Sequence, residues 1–194
     1  MKIKRPAASL LIAAFLVVPA LAGKRKVEDY SATIADFKKI PEVARFFDNA
    51  HGYAVFPTVG RGGLGIGGSH GKGQVYAGGK VIGFTSTTDV SIGLQAGGQA
   101  YSQIIFFENA EALKKFTTGK FEFAASASAI AVQSSAGASA GTEGTSASAS
   151  ASKTGEKSTN AKYQDGIVVF TMAKGGLMFA ATIAGQKYSY DPVN

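Results

Sequence analysis

Two histidines, His51 and His70, and no cysteine are what this chain offers to a soft metal ion. Zinc sites draw on three or four such side chains, so the supply is short and no metal or cofactor is expected. His70 stands beside Ser69, with Asp89 further along, and these are the residue types of a hydrolytic triad. Neighbours on a strand point to opposite faces, so Ser69 and His70 cannot readily meet there. The glycines also offer a nucleotide motif, Gly63-x-Gly65-x-x-Gly68, with Asp89 beyond it. That chemistry needs a helix opening at the third glycine, so that its N-terminus meets a pyrophosphate. Residues 69–79 carry no helical pattern. A phosphate loop built on Gly71-Lys72 fails at both ends, because Ile66 occupies the place of its first glycine and Gly73 that of its Ser or Thr. No paired carboxylates stand out, and the reading is of a non-enzymatic protein.

What remains is surface charge. Arg61, Lys72, Lys80 and Lys174 all lie in or beside glycine-rich stretches. In turns, backbone N–H groups form small anion-binding nests, and four cations gathered on one rim would make a phosphate-binding patch. Ordinary solvated charges that protect strand edges would look the same in sequence.

The elements that must carry these residues are legible from periodicity. Val27, Tyr30, Ile34, Phe37 and Ile40 recur at helical steps and predict an amphipathic helix. Its face would either touch a membrane through Tyr30, Ile34 and Phe37 or pack on a sheet. Pro41 suits the first turn of a second helix, with Val43, Phe46, Phe47 and Ala50 on its apolar face and Gly52 as its stop. From Tyr53 the pattern changes to strands. In the run to Tyr76, Leu64, Ile66, His70, Lys72 and Gln74 share one parity, and Gly63, Gly65, Gly67, Ser69, Gly71 and Gly73 the other. One face of that strand is nearly bare, which is expected where another backbone comes very close.

Residues 90–101 alternate as a half-buried strand, Asn109 caps a short helix to Phe116, and Phe121 to Val132 reads as a small-residue strand. Residues 134–160 are rich in Ala, Ser and Gly and bury too little to offset their ordering entropy, so they are expected to be a mobile loop. Strands at Ile167 to Thr171 and Leu177 to Ile183, joined through Lys174-Gly175-Gly176, close the domain. Two fragments recur: Arg61-Gly-Gly-Leu64 with Lys174-Gly-Gly-Leu177, and Gly98-Gln99-Ala100-Tyr101-Ser102 with Gly185-Gln186-Lys187-Tyr188-Ser189. The expected fold is α+β, with N-terminal helices packed on a glycine-rich, strongly curved antiparallel sheet or small β-barrel.

The chain resembles the SYLF (Ysc84-type) domain. Gly52-Tyr53-Ala54-Val55-Phe56-Pro57, Arg61 to Gly68 and Gly71-Lys72-Gly73 carry the resemblance. Ser91 to Gln99 and Lys174 to Met178 extend it. The resemblance implies a lipid-binding module, with phosphoinositides as ligands and actin as a partner among eukaryotic relatives.

Residues 1–22 read as a secretory signal peptide: Lys2, Lys4 and Arg5, an apolar stretch from Leu10 to Val18, and Ala20-Leu21-Ala22 at the cleavage site. A single domain over 23–194 would follow, exported to the periplasm or secreted, and peripheral on a membrane. Without the three leader cations the net charge falls from +7 to +4, too mild for nucleic acid. Such a compartment lacks actin and phosphoinositides. That counts against actin binding and points to an anionic bacterial phospholipid, or else to a cell-envelope structural or protein-interaction role with no lipid ligand.

Overall fold

The computed structural model describes residues 25–124, 129–132, 161–174, 183 and 185–193, and for 64–66 and 90–97 the backbone alone. In chain order the elements are α1 (Ser31–Lys38), α2 (Pro41–Asn49), β1 (Gly52–Ala77), β2 (Lys80–Phe107), α3 (Ala110–Phe116), β3 (Phe121–Glu122), β4 (Ile130–Val132), β5 (Ile167–Ala173) and β6 (Lys187–Pro192).

Local chemistry sets the helix ends. The Ser31 N–H donates to Asp29 Oδ1 at 2.9 Å, so α1 begins later than the apolar repeat from Val27 implies. Pro41 opens α2, where its missing N–H has no intrahelical partner to lose. Asn109 Oδ1 accepts from the Ala112 N–H at 3.0 Å and caps α3. Gly52 is not the stop of α2, which ends at Asn49; it opens β1 instead.

The sheet is organised around one long hairpin. Gly78 and Gly79, with φ of 56° and 74°, make the tight turn that suits two glycines. From Ala77↔Lys80 the two strands pair all the way to Gly52↔Phe107, with register shifts at Phe56/Val59, Leu64/Ile66 and Val75/Tyr76. On its other side the first half of β2 pairs with β6 and the second half with β5. The hairpin is bent near its middle, so each long strand serves two arms and the sheet curls into a half-barrel. Most pairs are antiparallel; β4 runs parallel to β5.

The bare glycine face is where the curl closes. A Cβ placed on Gly73 would lie 2.6 Å from the Val55 carbonyl oxygen and 2.7 Å from the Phe56 ring. One on Gly71 would lie 2.7 Å from Val59 Cγ2 and 3.0 Å from the Thr58 carbonyl oxygen. Thus β1 folds back on itself, and glycine lets its two halves approach.

Two apolar layers result. Outside the curl, α1 and α2 bury Phe37, Val43 and Phe46 against Val55, Phe106 and Phe170. Inside it, Phe56, Val75, Ile105, Val169 and Tyr188 meet the α3 side chains Leu113 and Phe116.

The expected strand from Phe121 to Val132 is not one element. Its start, β3, pairs with β6, while β4 pairs with β5 at the opposite edge of the sheet. The expected signal peptide (1–22), the expected mobile loop (134–160) and most of the strand expected from Leu177 to Ile183 lie outside the described residues.

Candidate functional site

The four cations do not form one rim. Arg61 and Lys72 lie within β1, paired with Gln99 and Ser86, rather than in turns. Their backbone N–H groups belong to a strand ladder, so no nest forms around them. Lys80 follows the Gly78-Gly79 turn as expected, yet it stands at the far end of the hairpin. At about 3.3 Å per residue along a strand, it lies roughly 20 Å from the level of Lys174. Lys174 N–H donates to the Ala100 carbonyl and its Nζ to Thr58 Oγ1 at 2.8 Å. Thr58 in turn lies over Gly71, the neighbour of Lys72. Arg61, Lys72 and Lys174 therefore belong to the half of the molecule near the bend, and Lys80 does not. Among the described residues none of the four is in an ion pair.

The apolar part of the expected lipid site is placed differently again. Phe37 is 0% exposed and belongs to the outer core, so its role is packing rather than insertion. Tyr30 and Ile34 are half-buried against the same core. With Val27, Tyr76 and Val81 they line a shallow groove of about 360 Å³. Burial against the sheet accounts for the helical repeat of apolar residues in α1.

Arg61 is the cation whose surroundings differ most from expectation. It shares strand parity with Val59, an inner-core residue, and its Nε is buried without a partner. It faces a polar seam inside the curl. Gln103 Nε2 donates to Gln186 Oε1 at 3.2 Å and to the Tyr188 hydroxyl at 3.1 Å. The Tyr188 hydroxyl donates to Gln186 Oε1 at 2.6 Å, and Gln186 Nε2 donates to the Tyr101 hydroxyl at 2.9 Å. Burial pushes the Tyr101 phenol up, against the hydrogen bond from Gln186. It pushes Tyr188 up further, with Thr87 and Gln103 opposing. Both phenols are therefore neutral donors and acceptors near neutral pH. The Thr87 hydroxyl lies near Tyr188 and the Ser69 hydroxyl near Tyr101, each close enough to hold its phenol down, but neither meets the geometry of a hydrogen bond.

The sequence signalled this seam only through the recurring fragment. In Gly98-Gln99-Ala100-Tyr101-Ser102 and Gly185-Gln186-Lys187-Tyr188-Ser189 both tyrosines reach the inner network. The two glutamines part company: Gln186 is buried and Gln99 exposed. Ser69 is buried and His70 exposed, so the alternation that argues against a Ser–His pair holds.

The molecule is thus a helix-backed half-barrel closed over its own glycine strand, with a polar inner seam. The family model described as "Ysc84: Las17-binding protein actin regulator" matches residues 88–192, more than half of the chain, and the chain belongs to this Ysc84, or SYLF, family, known for actin and lipid binding. It is similar to "Beta cell expansion factor A" of Aeromonas veronii, at 28% identity over 165 residues, which is 83% of this chain and 54% of that protein. The chain thus spans about half the length of this curated relative.

Proposed function

We propose that the protein is a non-enzymatic lipid-binding module, exported from the cell, that recognises anionic phospholipid at a membrane surface. The observation that carries this reading is the placement of Arg61, Lys72 and Lys174 on the half of the curled sheet near the bend, none in an ion pair among the described residues. The leader pattern in residues 1–22 supports export, and family membership supports a lipid ligand.

Magnitudes limit the mechanism. Each cation at an anionic surface contributes about 1 kcal/mol; Arg61 faces the inner seam, so Lys72 and Lys174 supply about 2 kcal/mol, weaker than millimolar affinity. Phe37 is committed to the core and cannot add insertion energy. Tight binding therefore needs headgroup recognition besides charge.

Flotation with phosphatidylglycerol vesicles, against phosphatidylcholine controls, tests the reading. The protein is expected to float with the anionic vesicles at low ionic strength. Lys72→Glu with Lys174→Glu is expected to weaken binding by at least about thirtyfold, an effect that shrinks in high salt. No flotation of the parent protein at low salt would put a protein-interaction role ahead, the reading that the family's description as Las17-binding favours.

A further inference from the structure

Buried polar atoms without partners are concentrated in one place. Of the eight such side-chain atoms among the described residues, six belong to Arg61, Ser69, Thr87, Asp89, Gln103 and Thr171. All six residues lie on the inner face of the curl. Ser69 pairs with Asp89, Gly71 with Thr87, and Gln103 with Thr171 across neighbouring strands. The seam is continuous through the Gln103–Gln186–Tyr101 hydrogen bonds to the level where Gly71 packs on Val59, the strand partner of Tyr101. Two residues further along the two halves of β1 stand Ser69, paired with Asp89, and Arg61. Ser69 is 6% exposed and Thr87, Gln103 and Thr171 are 0% exposed, while Arg61 and Asp89 are half-buried. The two charged residues therefore mark the mouth and the hydroxyls the interior. Polar atoms this deep normally have partners, and a protein gains nothing in stability by leaving six together without them.

We infer that the mouth of this seam, formed by Arg61, Ser69, Asp89 and Tyr101, binds a hydroxylated phosphate ester, the chemistry shared by a glycerophospholipid headgroup and free glycerol phosphate. The guanidinium is the partner for phosphate oxygens. The Asp89 carboxylate can only accept, so the group opposite it must donate. An ester's alcohol hydroxyls do so while its phosphate oxygens face Arg61, whereas inorganic phosphate has only its own P–OH, on the same small group that must also meet the guanidinium. The Ser69 and Tyr101 hydroxyls donate or accept and adapt to either. This inference rests on the lipid-binding reading and names the part of the lipid that is read.

Titration of the whole protein with glycerol 1-phosphate, inorganic phosphate and glycerol, followed by calorimetry, tests it beside phosphatidylglycerol flotation. The ester is expected to bind at least tenfold more tightly than inorganic phosphate. Arg61→Gln should weaken the ester at least tenfold, and Asp89→Asn should collapse the preference for ester over phosphate. Near-UV circular dichroism confirms that each variant folds, and either folded variant suffices. Flotation that the two variants reduce, with no binding of the soluble ester, supports the site and assigns it to the lipid headgroup. Ester binding without flotation supports the site and defeats the membrane reading. Flotation that neither variant alters overturns the site and leaves the membrane reading standing. Equal binding of ester and inorganic phosphate by the parent overturns it as well, as does failure of both vesicles and ester to bind.

Discussion

The two faces of the curled sheet are built from different materials. Outside, under α1 and α2, the contacts are aromatic: Phe46 lies 5.6 Å from Phe106 and 5.3 Å from Phe170, and Phe47 lies 4.9 Å from Phe106 between ring centroids. Inside, apolar packing near α3 gives way toward the bend to amides, hydroxyls, Arg61 and Asp89. Both faces are carried by the same strands, since β2 sends Ile104 and Phe106 outward and Gln103 and Ile105 inward. The outer face shows what a sheet does when only stability is at stake. The inner one keeps polar groups that packing alone would replace.

The largest test of that contrast is Phe37. Truncating a fully buried phenylalanine costs about 3–5 kcal/mol, so Phe37→Ala should shift the urea midpoint strongly, and Phe37→Asp should leave the domain unfolded. A folded Phe37→Asp protein that had lost only vesicle binding would make the outer face the membrane surface and reverse the comparison. Next in size is the closure of β1 on itself. Gly73→Val puts a side chain against the Val55 carbonyl and the Phe56 ring, and overpacking of this kind costs about 1–3 kcal/mol. A lowered melting temperature is expected, even though valine is the better strand former; an unchanged one would mean that the halves are not in contact. The smallest effect has the opposite sign. Thr171→Val removes a hydroxyl that has no partner and should stabilise by about 1 kcal/mol. Destabilisation on thermal melting would show that this hydroxyl is satisfied, and the seam would then resemble the outer layer in being built for stability.

The parts of this molecule that follow from local rules were legible in its sequence. Pro41, the Asn109 cap, the apolar face of α2 and the bare glycine parity all act within a few residues, and periodicity exposes them. Long-range pairing was not legible. Nothing near Phe121 states that β3 and β4 separate to opposite edges, because that depends on β5 and β6. The cations follow the same logic: glycine beside Arg61 and Lys72 suggests turns, whereas both residues lie within β1 and Gly71 and Gly73, beside Lys72, serve close packing between its halves. Phe37 shows the remaining ambiguity. An apolar helical stripe has one appearance whether a sheet or a bilayer covers it, and only the position of β1 and β2 decides.

The three register shifts along the hairpin bear on how the chain finds this arrangement. Pairing can grow outward from Gly78-Gly79, since each new pair adjoins one already formed, and the final pair, Gly52↔Phe107, is the most distant in sequence. Alternation makes such a zipper vulnerable, because a slip of one residue exchanges the faces of a whole strand. Here it would turn Lys72 and His70 toward Val59 and present Gly71 and Gly73 to solvent. Fixed irregularities at Val75/Tyr76, Leu64/Ile66 and Phe56/Val59 act as checkpoints against that error, since a slipped strand would have to pass each one out of step. The chain's most repetitive stretch is thereby given a single address.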